Sequence, residues 1–298
     1  MNDNRFDPTE NNQDFIQFKK QRDLGAILSD IFKFIRLEWK PLFGLILKIA
    51  GPALLLLVIA FVFYMQTTFG SLGLLAGGDL PFDNFTGTLV IALFVMIFAG
   101  IVFYSLLYGT VVEYVKSYVI NNGNADAKDV IAGIKHNFWS LLGLSFLVGL
   151  ITLMGTIFCI IPGIYLGTVL ATTYCIHLIE NRDATDSISY SFNLIKGEWW
   201  NTFATFLVIF ILYYFVGLIF QVPQLIYMFI QGIAMSQDAT ADPTQLFDWV
   251  YLTLNGIAMI FQYLLYTIIV LGTCFVYYDL NERKNFSGTL ETIDTLGQ

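Results

Sequence analysis

Of the 298 residues in the chain, 56% are hydrophobic and only 13% are charged, whereas a soluble domain carries about 25% charged residues. With a mean hydropathy of +0.67, this composition excludes an ordinary soluble domain and predicts an all-α polytopic membrane protein. The formal net charge of −8 gives no reason to expect a nucleic-acid partner, and membrane lipids are the partners that the composition implies.

The first segments predict a cytoplasmic tail, an amphipathic helix and a membrane span. Residues 1–23 are polar and contain no apolar stretch typical of a secretory signal peptide, so we expect a disordered tail. In residues 24–39, apolar and charged side chains fall on opposite helical faces, which indicates a helix at the membrane interface. The apolar run 41–65 can cross a hydrocarbon core of roughly 30 Å, and Pro52 predicts a kink within it.

A second unit repeats this pattern and leads into a hairpin. We predict a second span over 88–112 and a second amphipathic helix over 126–137. The apolar block that follows is too long for one span and contains the turn signal CIIPG, which includes Pro162 and Gly163. This turn divides the block into two short spans that a tight hairpin joins: 140–158 and 162–178.

A third amphipathic helix is predicted over 184–196. Asp183 can cap its start by accepting a backbone N–H, and Gly197 can end it in a left-handed conformation. Lys196 favours the negative C-terminal end of the helix. Two rings with an apolar body and a polar N–H follow where the chain would turn from the headgroup plane into lipid: Trp199 and Trp200.

Two further spans complete the membrane domain, which we place at 24–278. They are predicted over 202–220 and 249–278. Gln221, Pro223 and Gln224 interrupt the apolar pattern after the first of them, so the short apolar piece that reaches Met235 either extends a kinked helix or lies on the outer surface. Residues 279–298 are polar and predict a cytoplasmic tail. The predicted fold therefore has six transmembrane helices arranged as three hairpins, each preceded by a cytoplasmic-face amphipathic helix. The repetition reflects either duplication or three solutions to one interfacial problem.

The basic residues are confined to one predicted side of the membrane. Three long intervals contain no Lys or Arg: 49–115, 136–181 and 197–282. The predicted outer connections carry only acidic charges. By the positive-inside rule, both termini and the loops that carry the amphipathic helices are cytoplasmic.

Three charged residues near membrane ends are candidates for contact with a pathway or a partner. Lys48 lies about two turns into the first predicted span, where an unpaired charge is costly. A transporter would use it as a coupling residue, whereas in a scaffold its long stem would reach the cytoplasmic headgroups, and we favour the second interpretation. Glu113 and Lys116 stand three residues apart, a spacing that permits a local ion pair.

We expect a non-enzymatic protein without a catalytic, metal or cofactor site. The three cysteines form no CxxC pair, and His136 and His177 have no second histidine at ligand spacing. The sequence contains no phosphate-binding glycine loop and no nucleophile elbow. Asn255 and Gln262 share a face of the last span and are expected to hydrogen-bond across helices.

A set of residues in the second half of the chain resembles a known membrane domain. The set comprises IPGIYL at 161–166, Glu180, Ala184, Ser191, Leu194, Lys196, Gly197, Trp199 and Trp200. It resembles the membrane domain attached to some bacterial glycerophosphoryl diester phosphodiesterases, and related stand-alone bacterial membrane proteins of unknown function. The segments LGAILSDIFKFIR and FVYYDLNER look similar to this group as well. The resemblance implies a bacterial inner-membrane protein in which these residues, with Pro162 and Gly163, are structural.

The chain also departs from that family. It has no proline between Pro162 and Glu180, it has Ser187 near a position that is often alanine, and it shows no counterpart of the phosphodiesterase catalytic domain. The resemblance therefore implies architecture and not hydrolysis. The first functional hypothesis is a scaffold or accessory subunit in lipid or envelope homeostasis, with other envelope membrane proteins as partners. The alternative is a small transporter or flippase for a lipid or a small solute.

Overall fold

The described part of the chain is helical and contains no β-strand. The structure is a computed structural model, and it describes residues 15–70, 82–236, 246–286, 288 and 290. The helices in these residues are α1 (Leu24–Ile49), α2 (Gly51–Gly70), α3 (Phe82–Ile120), α4 (Ala127–Phe158), α5 (Ile160–Leu170), α6 (Thr173–Ile179), α7 (Ala184–Ile195), α8 (Trp199–Ser236), α9 (Trp249–Leu265) and α10 (Thr267–Asn285).

Six stretches of these helices are long and apolar enough to cross a membrane. They are Gly51–Thr68, Gly87–Ile120, Ala127–Phe158, Ile160–Ile179, Trp199–Ser236 and Trp249–Asn285. The fold is therefore that of an all-α polytopic membrane protein, which confirms the predicted fold class.

Two of the three predicted amphipathic helices continue directly into a longer helix. α1 runs through Pro41 and α4 runs through Trp139, so neither ends where the sequence pattern placed its end. No glycine stands at either point to end the helix. A continuous helix also keeps the backbone N–H and C=O groups hydrogen-bonded as the chain enters the membrane. The kink predicted at Pro52 takes the form of a break at Ala50, which leaves the proline in the first turn of α2, where its missing N–H costs little.

The third amphipathic helix, α7, stands alone and matches its predicted range to within one residue. Gly197 follows it with a φ of +91°, the left-handed conformation that was predicted and that glycine adopts without strain. The predicted side-chain cap is wrong, because Asp183 accepts no capping bond through its carboxylate. That carboxylate is exposed to solvent, and only the backbone carbonyl accepts, from the Ser187 amide at 2.8 Å.

Two predicted spans are each divided into two helices. The span predicted over 162–178 consists of α5 and α6, which part at Ala171 and Thr172. The span predicted over 249–278 consists of α9 and α10, which part at Tyr266. Neither break carries a glycine or a proline, so the sequence pattern gave no sign of it. Both breaks border the cavity described below.

Of the two alternatives for the apolar piece that reaches Met235, the extended helix is correct, because α8 continues through Gln221, Pro223 and Gln224. Gln221 Nε2 donates to Gln262 Oε1 at 2.8 Å, and Asn255 Nδ2 donates to Gln224 Oε1 at 2.8 Å. These bonds between α8 and α9 lower the cost of carrying amide groups in a membrane helix, although the buried Asn255 Oδ1 accepts no bond from the described residues. The predicted hydrogen bonds of Asn255 and Gln262 across helices are confirmed.

Part of the predicted N-terminal tail belongs to the packed domain. The disordered tail predicted over 1–23 is wrong for residues 15–23, and residues 1–14 lie outside the described part of the chain. Phe18 is fully buried and stacks on Phe275 with ring centroids 4.4 Å apart. The segment is polar on average, so its composition did not indicate that Phe18 is buried. Burying one aromatic ring contributes about 2 kcal/mol, which is enough to hold the segment against the bundle.

The densest packing lies toward the predicted cytoplasmic end of the bundle. Six large side chains there are less than 2% exposed: Phe18, Phe34, Tyr114, Tyr118, Phe275 and Tyr277. α10 takes part in this core beyond the predicted end of its span, with Asp279 and Glu282 buried, so the predicted tail over 279–298 begins too early. The last stretch of that tail lies outside the described residues. Large aromatic side chains are therefore buried together at this end of the bundle.

Candidate intramembrane cavity

A cavity of about 900 Å³ lies among α3, α4, α5, α8 and α10. The breaks before α6 and α10 meet at its wall, where Ala171, Tyr174 and Tyr266 line it. Its volume falls in the range of about 300–1,000 Å³ that is typical of small-molecule sites. Both breaks are short irregularities, since Thr172 and Tyr266 keep right-handed helical backbone angles. Irregular helix segments inside membrane proteins commonly border a cavity or a binding site, so this arrangement marks the cavity as the candidate site.

Four tyrosines crowd one end of the cavity. The rings of Tyr108 and Tyr174 stack with centroids 4.2 Å apart. Tyr266 packs edge-on against Tyr104 at 5.1 Å and against Tyr108 at 6.3 Å. Tyr104 and Tyr108 are one turn apart on α3, so their rings share one face of that helix. The cluster gives this end a wall of aromatic faces and phenol hydroxyls.

A chain of hydroxyl groups runs from this end of the cavity into the protein. The Tyr174 hydroxyl donates to Ser145 Oγ at 3.1 Å, and Ser145 Oγ lies 2.8 Å from Ser105 Oγ. Ser105 Oγ in turn lies 2.7 Å from the carbonyl oxygen of Ile101. Each member therefore has a hydrogen-bond partner, as polar groups need in an apolar interior.

Threonines add further oxygen atoms to the wall. The hydroxyls of Thr156, Thr168 and Thr273 donate to carbonyl oxygens four residues earlier in their own helices, at 2.8, 2.9 and 3.0 Å. Because each hydroxyl oxygen has two lone pairs, it can still accept a bond from a ligand. Among the described residues that line the cavity, none is charged. The wall is therefore apolar with scattered uncharged oxygen atoms.

The mouth of the cavity opens onto the apolar surface of the bundle. Leu153 and Phe210 line it and are 56% and 54% exposed. Gly149 lies beside them, and a Cβ atom added there would meet no atom within 4 Å. Exposed apolar side chains on membrane spans typically contact lipid chains, so we expect this mouth to face the bilayer.

The predicted turn residues shape the hairpin that forms one side of the cavity. The chain passes from α4 to α5 through the single residue Cys159, as the tight hairpin predicted. Pro162 lies in the first turn of α5. A Cβ atom on Gly163 would lie 2.8 Å from Thr156 Cα, so only glycine allows the two helices to approach this closely. This approach positions Thr156 in the wall.

The tryptophan pair and Ser191 differ in their surroundings. The ring of Trp199 is parallel to that of Phe203, which lines the cavity, with centroids 5.2 Å apart. Trp200 is 74% exposed, as expected of a residue at the membrane interface. Ser191 is fully buried on α7 and donates to the Ile188 carbonyl oxygen at 2.7 Å. Trp199 thus contacts a residue of the cavity wall.

Glu180 fixes the loop at the predicted cytoplasmic end of α6. Its Oε1 accepts from the Tyr277 hydroxyl at 2.9 Å, and its Oε2 accepts from Arg182 Nε at 2.6 Å. The carboxylate's hydrogen bond raises the pKa of the Arg182 guanidinium. Lys196 is exposed at the end of α7. Neither Glu180 nor Lys196 lines the cavity.

The three charged candidates also lie outside the cavity lining. Lys116 Nζ donates to the Leu178 carbonyl oxygen at 2.5 Å, whereas the buried Glu113 accepts from Asn137 Nδ2 at 3.3 Å. Lys116 and Glu113 thus bind residues of other elements and do not form the ion pair with each other that their spacing permits. Lys48 is exposed in the last turn of α1, where a cation favours the helix dipole.

Arg22 is a buried cation that the sequence pattern did not single out. Its Nε donates to Asp30 Oδ2 at 2.9 Å, its guanidinium donates to the Phe18 carbonyl oxygen at 2.6 Å, and its amide donates to Asp279 Oδ1 at 2.7 Å. Burial lowers the pKa of Arg22, and the two carboxylates oppose that effect. Its place in a polar segment gave no signal of burial.

The cavity tyrosines were also missed, although one signal was present. Tyr104 and Tyr108 are spaced i, i+4 inside an apolar span, where a phenol hydroxyl needs a partner. Tyr263 and Tyr266 are spaced i, i+3 in the last span. Pairs of tyrosines at helical spacing therefore indicated a polar wall, but not which helices would share it.

Comparison with known proteins gave no relative. The sequence matches no family model, and neither a curated protein nor a solved structure is significantly similar to it. The resemblance of residues 161–200 to the phosphodiesterase membrane domain stays a prediction. The six apolar helices identify the chain as a multi-pass integral membrane protein.

Proposed function

We propose that the protein is a non-enzymatic membrane scaffold or accessory subunit in lipid or envelope homeostasis, and that it holds a membrane lipid in its cavity. One observation carries the proposal: the cavity of about 900 Å³ is uncharged and opens between exposed apolar side chains, among them Leu153 and Phe210. A lipid chain that enters from the bilayer stays in apolar surroundings and gains packing contacts that an unfilled cavity lacks.

The packed cytoplasmic end supports a scaffold. There α1, α3 and α10 bury large aromatic side chains, and Arg22 ties the N-terminal segment to Asp30 and Asp279. A close-packed core resists the sliding of one helix group past another. The exposed Phe32 and Trp39 on α1 give an apolar face at which another envelope membrane protein could pack.

The charge pattern supports a proposed orientation in the membrane. We place the protein in the bacterial inner membrane with both termini in the cytoplasm. The support is the absence of Lys and Arg from the intervals 49–115, 136–181 and 197–282, together with the family resemblance of residues 161–200. Fusing a reporter that is active only in the cytoplasm to either end of the full chain tests this orientation.

A small transporter or flippase is the second candidate, and the broken helices favour it. Discontinuous helices at a cavity are a recurring feature of transporter sites. Two observations weigh against this candidate: Lys48 lies away from the cavity, and the amide groups of α8 and α9 bond to one another. Reconstituted vesicles decide between the two functions, since a scaffold gives no protein-dependent movement of labelled lipid across the bilayer.

The lipid-binding claim can be tested with two matched variants of α4. Gly149→Leu places a side chain in the mouth of the cavity, whereas Gly143→Leu adds the same side chain at an exposed position outside the cavity lining. Neither added Cβ meets another atom within 4 Å, so both variants should fold. The readout is the amount of lipid per chain, measured by mass spectrometry after purification in mild detergent.

The proposal expects bound lipid in the wild type and in Gly143→Leu, and most of that lipid lost in Gly149→Leu. Equal lipid in all three proteins would show that it covers the outer surface and not the cavity. A second readout from the same preparation is the set of co-purifying membrane proteins. A defined partner at a fixed ratio supports the scaffold role.

A further inference from the structure

The residues of the cavity wall limit the kind of lipid headgroup that the cavity can bind. From the wall and its surroundings we infer that the cavity takes an uncharged glycerolipid with a free hydroxyl, of the diacylglycerol class. This inference rests on the proposed lipid-binding function and adds the class of the ligand. It depends on three features: the absence of charge, the hydroxyl cluster and the lateral mouth.

The first feature excludes charged headgroups. The lining residues fall within 97–108, 145–174, 203–210 and 266–273, which all lie inside the intervals of the sequence without Lys or Arg. A phosphate group that entered this wall would lose its water and find no cation, and an unpaired charge in such surroundings is strongly disfavoured. Phospholipid headgroups are therefore expected to stay at the membrane surface.

The second feature favours a hydroxyl over a pure hydrocarbon. Tyr174 and Ser145 are joined by a bond of 3.1 Å, and both line the cavity. A ligand hydroxyl can donate a hydrogen bond to their oxygen lone pairs, and it can also accept a hydrogen bond from a phenol of the same cluster. The oxygens of Thr168 and Thr273 offer further acceptors, because their own protons are directed to helix carbonyls.

The third feature favours a glycerolipid over a single-chain alcohol. Oxygen atoms line the wall at several depths, from Thr156 near the hairpin to Tyr174 beside the helix break. A diacylglycerol presents two ester groups and a hydroxyl at such separate points, whereas a long-chain alcohol presents one polar group. The mouth beside Leu153 and Phe210 lets both acyl chains extend into the bilayer.

The test compares the binding of three probes to the full chain in lipid nanodiscs. The probes are fluorescent dioleoylglycerol, fluorescent dioleoylphosphatidylglycerol and a fluorescent polyprenol. We expect saturable binding of the diacylglycerol alone. Ser145→Ala and Tyr174→Phe should each weaken that binding by about tenfold, since each removes a buried hydrogen-bonding partner. Tyr214→Phe, on the exposed surface of α8, is the control for loss of a phenol and should leave binding unchanged.

The possible failures of the two proposals can be told apart. Saturable binding of phosphatidylglycerol or polyprenol that Gly149→Leu abolishes would overturn the ligand class and leave the lipid-binding function intact. Binding of no probe, with no difference between Gly149→Leu and wild type, would overturn both. If Ser145→Ala or Tyr174→Phe unfolds, the test is whether the wild-type chain retains unlabelled diacylglycerol during purification. Retention supports the proposal, and its absence contradicts the proposal.

Discussion

Replacing Arg22 with methionine tests whether the N-terminal segment is part of the fold. The Arg22 side chain is fully buried and donates to Asp30 and to the carbonyl oxygens of Phe18 and Lys20. Methionine fills a similar volume but leaves those acceptors without a donor. Removing one partner of a buried ion pair typically lowers the free energy of unfolding by about 3–5 kcal/mol.

The structure places the expected loss at the lower end of that range. Lys20 Nζ lies 3.4 Å from the same Asp30 carboxylate, so part of the charge stays compensated after the substitution. Asp279 keeps its ion pair with Arg283 at 2.9 Å. We therefore expect Arg22→Met to lower the free energy of unfolding by about 3 kcal/mol.

The assay measures unfolding in a denaturing detergent, and tryptophan fluorescence reports the unfolded fraction. Arg36→Met is the matched control, because Arg36 is exposed on α1 and its loss should change the free energy of unfolding by less than about 0.5 kcal/mol. Equal stability of the two variants would refute the reasoning, since it would mean that residues 15–23 are not held against the bundle.

Three further predictions concern the hairpin, a helix cap and Lys48. Gly163→Leu should destabilise the protein by about 1–3 kcal/mol, because its side chain would overlap Thr156, and unchanged thermal unfolding would contradict the close approach. Asp248 accepts from the Tyr227 hydroxyl at 2.5 Å and caps α9. These bonds hold the pKa of Asp248 below its usual value, so its contribution is present at neutral pH and is lost as the pH falls through that lowered pKa. Asp248→Ala should therefore cost about 1 kcal/mol at pH 7, and an equal cost at a pH below that lowered pKa would argue against this origin. Lys48→Ala should leave lipid retention unchanged, whereas a loss would place Lys48 in the binding pathway.

Local features of the fold could be predicted from the sequence because their causes are local. The amphipathic period of α7 and the glycine at 197 lie within one short stretch, and so does the turn at Cys159. The composition and the spacing of apolar runs sufficed for the fold class. The end of α1 could not be predicted, because Pro41 is tolerated inside a helix that the rest of the bundle supports.

The candidate site could not be predicted, because distant segments build it. Tyr108 and Tyr174 stack at 4.2 Å although a whole helical hairpin lies between them in the chain. Arg22 and Asp279 bond across 257 positions. Residue type and spacing report on neighbours along one helix, whereas a cavity depends on which helices leave space between them. The signature residue Glu180 was visible in the sequence, but its bond to Tyr277 was not.

The central claim is that the cavity, and not the outer surface, holds a lipid. Photocrosslinking in vesicles tests it most directly, with a diacylglycerol that carries a photoactivatable group in one acyl chain and with mass spectrometry to locate the adducts. We expect adducts on Leu153 and Leu207, which line the cavity, and the loss of these adducts in Gly149→Leu. Labelling that is equally strong on Ile59, which is 67% exposed on α2 and outside the cavity lining, and that persists in Gly149→Leu, would contradict it.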